Sequence, residues 1–220
     1  MSVIVPSSRR TTEIRMKNRD VLLPKAALVS ILFLVAGLSA QSQSPESKSG
    51  QWRIAGQNLN NSWSQPTEHS ISPANVKELK LKWMFTTDGD VSATPTVDGD
   101  AVYFPDWGGN LFAVKKSSGA LIWSHKISEY DGVEGAVSRV SPAVDGNQVI
   151  IGDIQSSKQV HNGANVMSVD RESGTPRWMT RVDDHPAAII TGSPVVFDGV
   201  VYIGVSSSEE IGRASCRERV

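Results

Sequence analysis

Three features of the sequence predict an all-β fold built from repeated four-stranded units. A proline-led segment recurs as Ala93-Thr94-Pro95-Thr96-Val97-Asp98-Gly99, Val140-Ser141-Pro142-Ala143-Val144-Asp145-Gly146 and Gly192-Ser193-Pro194-Val195-Val196-Phe197-Asp198-Gly199, with prolines 47 and 52 residues apart. Each Asp-Gly lies between two short apolar runs, a strong hairpin signal because glycine accepts the positive φ of a tight turn. In the first two units a third run follows and closes in Gly-x-x-x-Trp, Gly119 with Trp123 and Gly174 with Trp178. Four short strands in a period of roughly 40 to 50 residues describe a propeller blade. The chain therefore reads as an incomplete β-propeller of two blades and part of a third.

The elements follow in order. Residues 26–36 (AALVSILFLVA) form an apolar run preceded by Lys17, Arg19 and Lys25 and followed by small residues, so residues 1–40 read as a secretory signal, with Met16 as an alternative start. The run is shorter than the ~20 apolar residues of a spanning helix, so no stable membrane span is expected. Residues 41–50 (QSQSPESKSG) read as a polar linker. Residues 51–210 carry the propeller pattern, with blades at about 83–127, 128–182 and an incomplete 183–210. Ahead of the first blade, Ser72-Pro73 with Ala74, Val76 and Leu79 predicts one or two helical turns. Leu79, Leu81, Trp83 and Phe85 alternate with Lys80, Lys82 and Met84, which predicts a half-buried strand. The tail IGRASCRERV breaks the strand pattern and reads as a translated sequencing adapter, so residues 211–220 are set aside and Cys216 is given no role.

Charge narrows the partners. The chain has 22 Lys and Arg against 23 Asp and Glu, but six of those bases and only two of the acids lie in residues 1–40. Residues 41–210 keep 13 bases and 20 acids. An acidic body of this kind excludes nucleic acid, whose phosphates need a basic patch. With Cys216 as the only cysteine, an intrachain disulfide, a C-x-x-C-H haem attachment and a cysteine zinc cluster are excluded within these residues.

Each repeated tryptophan has a packing role to fill, because a propeller buries both faces of its sheets and a large planar side chain fills the gap between outer strands. Trp107 differs by lying in the loop Pro105-Asp106-Trp107-Gly108-Gly109, where packing and ligand contact are both open to it.

The pattern Ala113-x-Lys115-x-x-Ser118-Gly119-x-x-x-Trp123, repeated as Ser168-x-Asp170-x-x-Ser173-Gly174-x-x-x-Trp178, resembles the tryptophan-docking repeat of pyrroloquinoline quinone (PQQ) dehydrogenases. The strings QWRIAGQNLNNSWSQP, DVSATPTVDGDAVYFPDWGGNLFAVKKSSGALIWSH and HPAAIITGSPVVFDGVVYIGVSS resemble the polyvinyl alcohol dehydrogenases among these quinoproteins. The resemblance implies the N-terminal part of a ring of about eight blades, a periplasmic or secreted location, PQQ and Ca²⁺ as cofactors, an alcohol substrate and a cytochrome c electron acceptor. A non-catalytic propeller scaffold of the outer-membrane assembly type shares the repeat and is the alternative. The family usually places a glutamate three residues before the first repeat's proline, where this chain has Ser92. The family's adjacent cysteine pair and catalytic aspartate have no counterpart in this chain, so no catalytic residue is assigned.

Quinone-dependent alcohol oxidation needs a flat pocket, partners for the cofactor carboxylates, a cation at the reactive carbonyl and a base. In an up-and-down blade the loop leading into the innermost strand and the loop between the second and third strands share one face. Arg139 is the leading cofactor candidate, since a guanidinium grips a carboxylate bidentately and no acid lies within four residues of it; a surface ion pair is its other use. Ser92, Thr191 and Ser193 are candidate hydroxyl donors that strand-leading hydrogen bonds could equally employ, and Trp107 completes the cofactor set. Asp153 and Asn165, with Asn162, are oxygen donors beside a glycine, suited to part of a calcium shell or to a solvated loop. His161 and His185 are loop histidines with no partner at metal-ligand spacing.

Overall fold

The computed structural model describes residues 2–6, 50–154 and 163–207. β1 (Ser2–Pro6) lies within the stretch read as a secretory signal, whose remainder falls outside the described residues, as do most of the linker, His161, Asn162 and the tail. The first blade is an antiparallel meander of β2 (Thr96–Asp98), β3 (Ala101–Pro105), β4 (Asn110–Lys115) and β5 (Leu121–Lys126). A short helix, α1 (Ser128–Asp131), precedes the second blade of β6 (Ala143–Asp145), β7 (Gln148–Gly152), β8 (Ala164–Asp170) and β9 (Pro176–Asp183). The third unit holds β10 (Ala188–Ile189), β11 (Val195–Phe197), β12 (Val200–Gly204) and β13 (Ser206–Ser207). There β11 and β1 pair with opposite edges of β12, and β10 pairs with β13. The innermost strands β2, β6 and β11 neighbour one another, as blades set around an axis require.

The apolar runs are continuous because the middle strands are buried on both faces. Along β3 and β4, Val102, Phe104, Phe112 and Val114 form one cluster with Trp83, Phe85 and Val97, while Tyr103, Leu111 and Ala113 face the other way into a cluster shared with Val149, Ile151, Val166 and Val169. The pairs Val102 with Val114 and Phe104 with Phe112 sit directly opposite across the ladder, so a slip of one residue would exchange the two clusters. Full burial of a side chain such as Leu111, Ile150 or Ile151 contributes about 1.5–3 kcal/mol.

The third hairpin is offset from the first two. Asp98 and Asp145 close their ladders opposite Ala101 and Gln148, whereas the extra residue after Pro194 makes Phe197 the closing position opposite Val200. Asp198 and Gly199 then form the two-residue turn, both with positive φ (50° and 72°).

Two expectations ahead of the first blade change. The helical turns predicted after Ser72 reduce to a turn and a 3-10 segment at Val76–Glu78. The strand predicted over residues 79–85 is extended chain: no described strand pairs with it, and Leu79 and Leu81 are exposed. Its inward residues Trp83 and Phe85 still pack on the first blade, and Trp83 Nε1 donates to the Lys116 carbonyl at 2.8 Å.

One arrangement had no sequence signal. Trp52 exchanges both backbone hydrogen bonds with Val97 of β2, and the Arg53 carbonyl accepts from Val144 N of β6 at 3.0 Å. The segment thus ties the inner edges of both blades. Buried Asp98 receives Arg53 Nε at 2.7 Å and Arg171 Nη1, which compensates a carboxylate that would be costly to bury alone.

Candidate functional site

The three lead-in loops are stitched together. Thr94 N donates to Ser141 Oγ and Ser141 N donates to Ser193 Oγ, each at 2.9 Å, while Thr96 Oγ1 donates to the Pro142 carbonyl at 2.6 Å. Thr94, Ser141 and Ser193 each precede a proline, so these bonds put consecutive blades in the same register. Ser92, Arg139 and Thr191, each three residues before its proline, consequently occupy equivalent positions on successive blades.

The side chains at those positions differ in how they are engaged. Ser92 is exposed and its Oγ accepts Trp107 Nε1 at 2.9 Å, so two sequence candidates meet. The Trp107 backbone N–H donates to the Asp90 carbonyl, and its side chain stays 43% exposed. Arg139 is exposed and, among the described residues, forms no ion pair and no hydrogen bond. Its neighbours Ser138 and Val140 are buried, Ser138 Oγ donating to the Gly152 carbonyl at 2.7 Å, while Arg139 between them is exposed. Thr191 Oγ1 lies 2.9 Å from Ser206 Oγ. Ser193 spends an oxygen lone pair on Ser141, which leaves its hydroxyl proton available to donate.

Asp153 and Asn165 come together, and both are buried. Asn165 N donates to Asp153 Oδ1 and Asn165 Nδ2 to Asp153 Oδ2, both at 2.7 Å. The first blade uses the same device: Asn110 N donates to Asp106 Oδ1 at 2.8 Å, and Asp106 N donates to the Asn110 carbonyl at 3.0 Å. An Asp/Asn pair thus closes the loop between the second and third strands of each blade. Asp106 Oδ2 additionally accepts Asp88 N and Gly89 N, both at 3.1 Å, so this carboxylate is occupied in holding two loops together. Among the described residues no three of His, Cys, Asp and Glu gather at metal-binding distances. His185 is exposed, with Nδ1 accepting Ala187 N at 3.2 Å.

Sequence reasoning missed Asp131. Helix α1 ends with this residue, and its carboxyl lies against that of Asp153; burial, then the neighbouring negative charge, pushes it up to about 7. The available signal was the repeat itself, since Asp131-Gly132 stands ahead of the second blade as Asp88-Gly89 stands ahead of the first.

Residues 74–218 match the PQQ_2 family, described as outer membrane protein assembly factor BamB. The chain is similar to a polyvinylalcohol dehydrogenase of Pseudomonas sp., 26% identical over 160 residues that make up 73% of this chain and 24% of the relative. A polyvinylalcohol dehydrogenase of Sphingopyxis sp. (strain 113P3) is 29% identical over 149 residues, 64% of this chain and 20% of that protein. The chain therefore spans about a quarter or less of the length of these curated relatives. Among solved structures, the quinohemoprotein alcohol dehydrogenase ADHIIG of Pseudomonas putida HK5 superposes with a TM-score of 0.60 at 24% identity, covering 73% of this chain and 23% of that one, and so shares the fold. With its blades, docking tryptophans and lead-in loops falling within the matched residues, the chain belongs to the PQQ_2 family of β-propeller proteins.

Proposed function

We propose that this chain is the N-terminal part of a periplasmic or secreted PQQ-dependent alcohol dehydrogenase that oxidises polyvinyl alcohol or a similar secondary alcohol and passes electrons to a cytochrome. The observation that carries the reading is the register of the lead-in loops, which sets Arg139, a guanidinium with no ion pair among the described residues, between hydroxyl-bearing Ser92 and Thr191 on neighbouring blades. Similarity to two polyvinylalcohol dehydrogenases supports the substrate class.

The residues present fit part of the cofactor. PQQ is an anionic quinone carboxylate, and when bound it supplies the two-electron acceptor for the alcohol. Arg139 would hold a carboxylate by a charge-assisted pair of hydrogen bonds. Ser92, Thr191 and Ser193 would donate hydroxyl protons to carboxylate or quinone oxygens. Trp107, held by Ser92, would shield the bound ring from water. Calcium is the expected second component, and Asp153 and Asn165 carry the hard oxygen donors that suit it.

The test is reconstitution of the full-length gene product with PQQ and Ca²⁺, followed by reduction of an artificial electron acceptor in the presence of polyvinyl alcohol or 2-butanol. Dye reduction is expected, and Arg139→Ala is expected to weaken PQQ binding by roughly tenfold or more, the worth of a hydrogen bond to a charged group. Absence of dye reduction with every alcohol overturns the reading. The family description favours a second one, a non-catalytic scaffold for outer-membrane assembly, which predicts no PQQ binding and capture of envelope proteins instead.

A further inference from the structure

Trp107 is 43% exposed, yet it is held at both ends. Its backbone N–H donates to the Asp90 carbonyl and its indole Nε1 donates to Ser92 Oγ, each at 2.9 Å, so both bonds run to the lead-in loop of the first blade. Beneath this turn stands Asp106, whose side chain is buried. Its Oδ1 accepts Asn110 N at 2.8 Å, and its Oδ2 accepts Asp88 N and Gly89 N, each at 3.1 Å. The Asn110 amide Nδ2 reaches the two oxygens at 3.1 and 3.2 Å. The loop and the turn meet backbone on backbone: a Cβ added to Gly89 would stand 2.3 Å from Gly108 N and 2.7 Å from the Trp107 carbonyl carbon. Gly132, the matching glycine ahead of the second blade, has nothing within 4 Å. On the other side of the turn Lys126 Nζ donates to the Gly108 carbonyl at 2.9 Å.

An exposed side chain normally keeps its rotamers, and a ligand that lands on it bears the cost of ordering it. The Trp107 indole has lost that freedom before any ligand arrives, because hydrogen bonds fix both its main chain and its one polar side-chain atom. Packing does not account for the arrangement, since much of the ring stays in solvent. A fixed, partly exposed indole offers a flat ligand a surface for stacking. We propose that Asp106 and Ser92 are positioning residues, which hold Trp107 as a rigid wall for a planar, conjugated ligand on the lead-in face. Asp106 sets the turn that carries the ring, and Ser92 sets the ring's angle. Taking that ligand to be PQQ rests on the function proposed above, whereas the immobility of the indole does not.

The experiment uses the full-length gene product labelled with 5-fluorotryptophan, the Trp107 fluorine resonance being identified by its loss in Trp107→Phe. The parent is expected to give a single narrow Trp107 line. Asp106→Asn turns one acceptor oxygen into an N–H donor facing other donors, so it should release the turn and broaden or split that line. The remaining tryptophan lines should stay in place, which shows the fold kept. Ser92→Ala, a change at an exposed residue, should also broaden the Trp107 line, and Ser92→Thr should restore it. Asp100→Asn, at the separate turn where Asp100 accepts Ser117 N, should leave the line unchanged. Titration with PQQ gives the second readout. Asp106→Asn is expected to raise the dissociation constant roughly three- to tenfold, the cost of ordering one side chain on binding, and to add nothing once Trp107→Ala has removed the wall. A Trp107 line that stays narrow in both Asp106→Asn and Ser92→Ala, or affinity losses that add in the double variant, overturns the proposal. If the parent binds no PQQ, the quinone reading falls and the fluorine lines alone decide the positioning.

Discussion

Trp123 is packed so closely on Gly174 that a Cβ added to the glycine would stand 2.7 Å from the indole Cε3, and the indole Nε1 donates to the Arg171 carbonyl three residues before that glycine at 3.0 Å. The same relationship holds between Trp83 and Gly119, where the corresponding distance is also 2.7 Å and the acceptor is the Lys116 carbonyl. Each tryptophan therefore docks on the glycine turn of the following blade. Trp178, third in the series, instead donates to Gln148 Oε1 of its own blade at 3.3 Å.

Gly174→Ala is expected to destabilise the fold by about 2–4 kcal/mol, combining a strained positive φ of 73° with a clash against Trp123 and His125. Gly99→Ala is the control. Its φ is also positive, at 59°, but nothing lies within 4 Å of the added methyl, so about 1 kcal/mol is expected. Urea unfolding of both variants checks the difference, and equal losses would show that backbone strain alone, not docking, explains the glycine.

Ser193→Ala removes the acceptor for Ser141 N, a buried residue's backbone donor at a joint between blades. The expected loss is about 1–3 kcal/mol, the cost of leaving such a donor unsatisfied. Hydrogen exchange should show the Ser141 amide losing protection while amides in the β3–β4 ladder keep theirs. Unchanged protection at Ser141 would refute the stitching of lead-in loops.

Asp170 gives a pH dependence of definite sign. The Arg177 guanidinium beside it, aided by hydrogen bonds from the turn, holds its carboxyl down at about 2, below the ordinary 3.8. A depressed folded-state pKa stabilises the protein above the unfolded value, and that contribution is lost as pH falls from about 3.8 through about 2. Asp170→Asn should flatten the stability profile in that window without changing it near neutrality. A variant whose profile parallels the parent's between pH 4 and 2 would remove Asp170 as the source.

The repeat pattern was legible because a blade is local: hairpins close over two residues, and the apolar run that makes β3 or β7 needs only its neighbours along the chain. Arg139, Ser92, Thr191 and Ser193 could be listed as rim candidates by counting back from each proline. That Trp107 bonds to Ser92, that Asp153 bonds to Asn165 and that Arg139 is exposed with no ion pair among the described residues were not legible, because hydroxyls, amides and guanidiniums show no periodicity that names their partners. Lys115 makes the same point. It stands where Asp170 caps its own turn, and in the first blade Asp100 takes over, accepting Ser117 N at 3.2 Å from the adjacent hairpin.

The sequence by itself determined the all-β class, the antiparallel four-stranded unit and the places of the turns, since alternation, Asp-Gly pairs and spaced prolines act over distances of a few residues. Only the tertiary structure decided which tryptophan meets which glycine, that the segment around Trp52 and Arg53 crosses two blades, and that Asp131 lies against Asp153. Those contacts join residues far apart in the chain, and shape, burial and charge compensation select them only once the blades are packed together.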